Sequence, residues 1–253
     1  PAEVEAEAEE AGMSDVSDVS GRRGGREQFS RHLALVSAEG LDLLSAATVA
    51  VVGAGGLGST VLELLARSGV GTIRIHDAGV LDIPDLNRQI LYTHDELGRA
   101  KADAAAARLS RINPALSAEA HGDRVEAATD FSGADVVVDC LDNFETRFAV
   151  DEATYDAGIP LVHGGVYQYF GQVTTIHRDH TRSLRALFGP EATAQDAEAN
   201  KPMFPPAVAG TATVEATECI KLLLGRPPEQ LLYNRILSLD YLTYDFDEIQ
   251  LSL

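Results

Sequence analysis

The sequence has no tryptophan, only two cysteines in 253 residues, and only three lysines, Lys101, Lys201 and Lys221, beside 17 arginines. Cys140 and Cys219 are too few for a disulfide framework, and without a CxxC pair they exclude a thiolate zinc site. Cys140 falls in an expected core strand and Cys219 in an expected helix, so both read as small buried hydrophobes. No run is long and apolar enough to cross a membrane, and no signal-peptide pattern is present. A soluble, cytoplasmic protein with no membrane partner is expected. Positive charge is scarce as well: 39 acids stand against 20 bases, for a net charge of −19. That balance lacks the basic stripe a nucleic-acid partner requires.

Residues 1–20 hold seven acids and no Lys or Arg, which leaves −12 for the rest. Residues 1–24 therefore read as an acidic, disordered tail, with Met13 a candidate native start. An acidic surface with little lysine suits a salt-loaded cytoplasm, a statement about habitat rather than function.

The remaining residues can bury a sizeable core. Its organising stretch is TVAVVGAGGLG (48–58), followed by TIRIHD ending at Asp77. Val49, Val51 and Val52 suit a strand covered on both faces, and Leu62, Leu64 and Leu65 suit the helix packed over it. Gly53, Gly55 and Gly58 match the dinucleotide-fold fingerprint of tight turn, close phosphate approach and close helix–strand packing. The opening N–H groups of that helix form an anion site. Asp77 stands where an acid accepts hydrogen bonds from ribose hydroxyls. Together these features predict nucleotide binding.

Further along, the pattern predicts helices over 26–45 (apolar Phe29, Leu33, Leu35, Leu41 and Leu44), 101–112 (Ala104, Ala107, Leu109 and Ile112), 144–157 and 213–224. Strands are expected at 117–121, 134–143, 160–166 and 171–177, with two more in the tail after Leu231. Residues 178–208 read as a long loop, of the kind that is usually functional. Strand–helix alternation followed by direct strand-to-strand connections implies an α/β, Rossmann-like domain. Its sheet should be mostly parallel and turn mixed or antiparallel toward the C-terminus.

Polar clusters stand at the expected strand ends: Arg88 in DLNRQ, Lys101 after GRA, Asp142 and Asn143 after VVVDC, and Arg31 in QFSRH before the first strand. Singly, each reads as an ion pair, a solvated side chain or a helix cap. Taken jointly, GAGGLGS (53–59), IHD (75–77), DLNRQ (85–89), GRAK (98–101) and DCLDN (139–143) resemble the ThiF/MoeB/HesA family, relatives of ubiquitin-activating enzymes. RINP (111–114), VHGGVYQYFGQVTTI (162–176) and ATECIKLLLG (216–225) extend the resemblance over most of residues 26–250.

The resemblance implies one adenylation domain over 25–253, with a nucleotide-binding half near 46–145 and a carrier-binding and dimer half near 146–253. It implies ATP and Mg²⁺ as cofactors, and adenylation of the C-terminal glycine carboxylate of a small ubiquitin-fold sulfur-carrier protein. Asp77 would hold the ribose. Gly53, Gly55 and Gly56 would let the nucleotide approach the backbone, and Leu141 and Asn143 would lie beside it. Arg88 and Lys101 would neutralise phosphate charge, with Asn87 and Gln89 as polar neighbours. Asp142 would hold Mg²⁺, and Arg31 would reach the partner's ATP across a homodimer.

Departures from the family pattern shape the expectation. Asp85 stands where Asn is common, and Gly79 where a second acid is common. Ser30 and His32 flank Arg31 where Asn and Gln are common. HTRS (180–183) replaces a zinc-binding CxxC and no second pair follows, so no zinc site is expected. The stretch EANK near 198–201 holds no cysteine, so no relay through a thioester is expected and sulfur would come from a separate donor. Tyr167–Phe170 and the 190–206 stretch are candidates to grip the carrier tail. A nicotinamide-dependent dehydrogenase would also want the glycine turn and Asp77, but gives no reason for DLNRQ, GRAK and DCLDN together. Two rival functions keep the same fold: a non-catalytic scaffold, and an adenylase acting on a modified tRNA base.

Overall fold

A computed structural model describes residues 27–197 and 202–251, with Gln195 and Ala197 described by their backbone alone. The acidic tail over 1–24 and the EANK stretch at 198–201 lie outside the described residues. The elements are α1 (Ser30–Ala46), β1 (Thr48–Val52), α2 (Gly56–Ser68), β2 (Thr72–His76), α3 (Lys101–Ile112), β3 (Ser117–His121), β4 (Val136–Asp139) and α4 (Phe144–Ala157). They continue with β5 (Leu161–Tyr167), β6 (Phe170–Ile176), α5 (Leu184–Phe188), α6 (Pro205–Leu223), β7 (Arg235–Asp240) and β8 (Asp245–Gln250).

Among the described residues eight strands form one sheet in the order β3-β2-β1-β4-β5-β6-β7-β8. The first five are mutually parallel and the last three pair antiparallel. The central strands β1 and β4 are buried on both faces, which explains their unbroken valine runs, whereas the edge strand β3 is largely exposed. Val49, Val51, Val136 and Val138 pack with α2, α3 and α6 on one side. Ala50, Val52 and Val137 point the other way, to Phe148 and Val150 of α4 and Leu184 of α5. At the far edge β8 is exposed along its length, and its acids Asp245, Asp247 and Glu248 discourage pairing with another strand.

Several expectations need correction. Helix α1 bends at Ser37, whose φ of 67° is left-handed. The bend shifts the buried face to Gly40, Leu41 and Leu44, while Leu35 is 78% exposed. On α3 the buried residues are Ala102, Ala104, Ala105 and Leu109, and Ala107 faces solvent. The fourth strand ends at Asp139, so Cys140–Asn143 form a loop. The long stretch 178–208 carries α5, a 3-10 helix (Pro190–Ala197) and the first turn of α6. Helix α6 begins eight residues before the apolar signal does, on Pro205 and Pro206. First-turn prolines are tolerated because those N–H groups have no partner within the helix. Where the resemblance places a zinc-binding pair, His180 stacks on Tyr233 and Thr181 Oγ1 accepts from Asn234 N at 2.8 Å.

One buried acid makes the fold sensitive to pH. Asp151 of α4 lies beneath α5, and burial pushes its carboxyl up to about 7, against the pull of the Arg185 and Leu184 N–H groups. The folded protein thus keeps a proton that the unfolded chain releases near pH 4, so this group's contribution to stability falls between about pH 4 and pH 7. Asp151→Asn keeps an acceptor and removes the charge. It is expected to stabilise the protein by on the order of 2–4 kcal/mol above about pH 7. The gain should vanish below about pH 4, as read by thermal melts across that range. A gain that does not vary with pH would rule Asp151 out as the titrating group.

Candidate functional site

The chain leaves β1 through Gly53, whose φ of 94° suits glycine alone. A Cβ there would lie 2.7 Å from Cys140 O, and one on Gly58 would lie 1.8 Å from Gly53 O. These two glycines therefore close the turn against its own helix and against the exit of β4. Gly56 is tight for another reason, since its Cβ would press on Val208 of α6 at 2.9 Å. Gly55 alone has room, with Gln89 Nε2 nearest at 3.7 Å. Close approach of a ligand to the backbone thus fits Gly55, while Gly53 and Gly56 serve packing. No side chain caps α2, so its first N–H groups are available to an anion.

Between β1 and β4 the strand order reverses, and a cleft of about 950 Å³ opens at the C-terminal ends of these strands. Gly53, Gly55, Gly56, Asp77, Arg88, Gln89, Lys101, Leu141, Asp142 and Asn143 all line it. Asn87 and Arg31 do not. Asn87 is exposed and accepts from Arg88 Nη1 at 3.0 Å. Arg31 is exposed on the first turn of α1.

Asp77 follows β2 directly and does more than face the cleft. Its Oδ2 accepts from Ala54 N and its Oδ1 from Gly79 N, each at 2.7 Å, so it ties the glycine turn to β2. Each carboxylate oxygen has two lone pairs, which leaves capacity for ribose hydroxyls. A Cβ at Gly79 would come within 2.9 Å of Asp77 Oδ1. The glycine that replaces the expected second acid therefore leaves Asp77 unencumbered. Tyr92 Oη donates to Ala54 O at 2.8 Å, and burial, then Asp77, pushes its hydroxyl far above the usual tyrosine range.

The DLNRQ segment follows a 3-10 helix, Ile83–Asp85, held by a capping box between Asp82 and Asp85. Asp85 is the hub of this wall. It accepts from Gln89 Nε2 at 2.7 Å, pairs with Lys101 Nζ at 3.1 Å and lies 3.7 Å from Arg88 Nη2. The two cations are thus held side by side by one carboxylate, which offsets their mutual repulsion.

The opposite wall rests on a buried polar cluster whose pairing no sequence motif announces. Asp139, His163 and Glu215 are fully buried and Arg147 nearly so. His163 Nδ1 lies 2.7 Å from Asp139 Oδ2, and Arg147 Nη1 lies 3.3 Å from the same oxygen. Burial would raise the Asp139 carboxyl, but Arg147 and the His163 hydrogen bond outweigh it and hold it below its ordinary value. Burial, then the Arg147 charge, keeps His163 neutral. Burial and the nearby Asp139 push the Glu215 carboxyl well above its ordinary value, and Gly164 makes room for it. The same burial, with Glu215 and Asp139 beside it, raises the Cys140 thiol. The one signal in the sequence is Asp139 itself, an acid inside an apolar strand, which demands a buried cation.

Asn143 caps α4 by accepting from Thr146 N, and Asp196 accepts from Phe144 N and Glu145 N of the same turn. His76, beneath Asp77, stacks on His121. Burial, then His121, lowers its imidazole to about 4. The cleft runs on past Tyr167 and Phe170 to Met203. Among the described residues no helix is long and apolar enough to span a membrane. No group of three His, Cys, Asp or Glu among them is close enough to hold a metal ion alone. A metal here would need ligand oxygens as well, and Asp142 on the cleft wall suits a hard ion completed by phosphate oxygens.

The chain is 35% identical over 238 residues to the SAMP-activating enzyme E1 of Haloferax volcanii, covering 88% of this chain and 84% of that protein. It is 38% identical over 213 residues to the sulfur carrier protein adenylyltransferase of Thermus thermophilus, covering 79% and 78%. Among solved structures, E. coli MccB with ATP matches at a TM-score of 0.77, with 20% identity over 89% of this chain and 71% of that one. At that identity the likeness speaks to the fold alone. A model of the ThiF family matches residues 29–253, taking in the glycine turn, both walls of the cleft and the antiparallel end of the sheet, and the chain belongs to that family.

Proposed function

We propose that the protein adenylates the C-terminal glycine carboxylate of a small ubiquitin-fold carrier protein at the expense of ATP. The observation that carries this reading is the gathering of Asp77, Arg88, Lys101 and Asp142 around one cleft at the strand-order switch. The carrier carboxylate attacks the α-phosphorus, the new oxygen–phosphorus bond forms as the α–β bridge breaks, and pyrophosphate leaves. Charge moves onto the leaving pyrophosphate, so the catalytic work is positioning and charge neutralisation.

In this scheme Asp77 accepts from the ribose hydroxyls, and the α2 N-terminus receives phosphate oxygens beside Gly55. Arg88 and Lys101, spaced by Asp85, neutralise the charge that develops on the leaving group. Asp142 would hold Mg²⁺, which would supply further charge neutralisation on phosphate oxygens. The cleft's extension past Tyr167 and Phe170 suits an extended carrier tail. Arg31 lies outside its own cleft, which supports a homodimer in which it serves the partner's ATP. Neither cysteine is placed for a relay: both are buried, with thiols raised first by burial. Sulfur would come from a separate donor.

ATP–pyrophosphate exchange, run in high salt against a panel of carriers ending in Gly-Gly, is expected to appear with one of them. ATP binding without exchange on any carrier would point to a different acyl substrate. Binding of a nicotinamide cofactor in place of ATP would overturn the reading. Arg88→Ala and Asp142→Ala are each expected to remove at least about 100-fold of the exchange rate without unfolding the protein. An active Asp142→Ala protein would sink the metal assignment. Mixing Arg31→Ala with Asp142→Ala is expected to restore up to about half of the sites within each mixed dimer, since a mixed dimer rebuilds one intact cleft. No recovery after proven subunit exchange would exclude a shared site. Thiol alkylation of the native protein is expected to leave exchange intact, because both thiols are buried and protonated.

A further inference from the structure

The loop that carries Asp142 spans only Cys140–Asn143, between a buried strand and a capped helix. Its second residue is held at both backbone groups. Leu141 N donates to Asp139 Oδ1 at 3.0 Å, and Leu141 O accepts from Arg147 Nη2. The other arm of the same guanidinium, Nη1, donates to Gly164 O of β5 at 2.6 Å and lies 2.9 Å from His163 Nδ1. One planar fork therefore spans from β5 to the loop and fixes Leu141 relative to the sheet. The Phe144 ring lies 5.6 Å from the guanidinium carbon.

Stability alone does not account for this arrangement. A buried ion pair is often matched or bettered by apolar residues of similar volume, so Asp139 and Arg147 are weakly justified as a stability device. Their hydrogen bonds, however, converge on the residue before Asp142. Charge is balanced between Asp139 and Arg147, and burial disfavours the charged forms of His163 and Glu215 beside them. The guanidinium charge is thus already answered by Asp139, and its two arms are committed to backbone carbonyls.

We infer that Arg147 is a positioning residue for metal-dependent nucleotide binding, its forked guanidinium holding Leu141 so that Asp142 is presented to the cleft. This rests on the adenylation reading and on Asp142 as the magnesium ligand. Lysine cannot replace it, since a single ammonium cannot reach Gly164 O and Leu141 O in the planar geometry of the fork. Groups that orient a metal ligand without touching the metal typically matter by about 10–100-fold. The same range is expected here.

The test compares ATP binding by calorimetry in excess Mg²⁺ and in EDTA, and the Mg²⁺ concentration for half-maximal pyrophosphate exchange. Arg147→Lys is expected to stay folded at the assay temperature and to bind ATP in EDTA as the parent does. Its half-maximal Mg²⁺ concentration should rise by about 10–100-fold. The charge-balanced double substitution Asp139→Asn with Arg147→Gln leaves no lone buried charge and is expected to show the same shift. Asp142→Ala is the reference. If Asp142→Ala loses the magnesium response while both Arg147 variants keep the parent's, the positioning role is wrong and the adenylation reading stands. If Asp142→Ala keeps the response, the reading of the metal site fails first, and this inference with it. If both Arg147 variants are unfolded without nucleotide, Arg147 belongs to the fold and the inference is overturned.

Discussion

A contact between two backbones sets the rest of the structure: the Gly53 turn lies directly on the carbonyl of Cys140. Side chains of any kind at Gly53 or Gly58 would force β1, α2 and the exit of β4 apart. Because the three are in contact, the loop bearing Asp142 begins beside the uncapped N-terminal end of α2. Asp77 and Tyr92 then fasten the same turn from β2 and from the DLNRQ wall, through Ala54 N and Ala54 O. The cleft is the consequence of this crowding. A parallel sheet covered on both faces has one place where its crossovers part, and here the chain fills that place with backbone rather than side chains.

Acids hold the cations on both walls. Asp85 gathers Lys101, Gln89 and Arg88, and Asp139 gathers Arg147 and His163. The two clusters differ in burial, and the difference assigns their work. Asp85, Lys101 and Arg88 remain in reach of solvent, so an arriving polyanion can draw on Lys101 and Arg88 without stripping a buried carboxylate of its partner. Asp139 is sealed, and removing Arg147 would leave a lone charge inside the protein, at a cost of roughly 3–5 kcal/mol. The first wall is built to exchange partners and the second to stay put.

The periodic part of the fold is legible in the sequence. Strands β1, β2 and β3 and helices α3 and α4 lie where valine runs, alternation and helical spacing put them, because burial on one or two faces leaves a regular signal. Leu35 escapes that logic because a left-handed residue at Ser37 resets the helical phase, and a single polar residue gives no warning of it. The first turns of α6 are hidden because Ala, Gly, Thr and Pro carry little apolar contrast, although Ala207, Val208, Thr211 and Ala212 are buried there. Of the site, the residues in spaced motifs are readable one by one. Coupling is not readable: that Asp85 restrains both cations, or that Arg147 and His163 answer the acid in VVVD. Those pairings join residues apart in the chain, and only the register of β4 with β5 brings Asp139 opposite His163.

A net charge of −19 and the triphosphate of the proposed reaction present an apparent contradiction. It resolves through distance. Exposed charges more than about 8–10 Å apart are largely screened at ordinary ionic strength, and more salt shortens that reach. Within it, the nucleotide would meet Lys101, Arg88 and the N–H groups of α2. Asp85 is already engaged by those cations, and Asp142 would be engaged by a metal in the proposed scheme. The cleft lining sets Arg88, Lys101, Arg124 and Arg147 against Asp77, Asp85, Asp123 and Asp142, so the local field is set by a few groups and is far less acidic than the global one. The acids outside this radius are left to govern solubility, so the surface can be strongly acidic without compromising a phosphate site. The same screening bounds the reach of the site: a ligand attracted only by long-range charge would be repelled, so recognition has to begin with contacts inside the cleft.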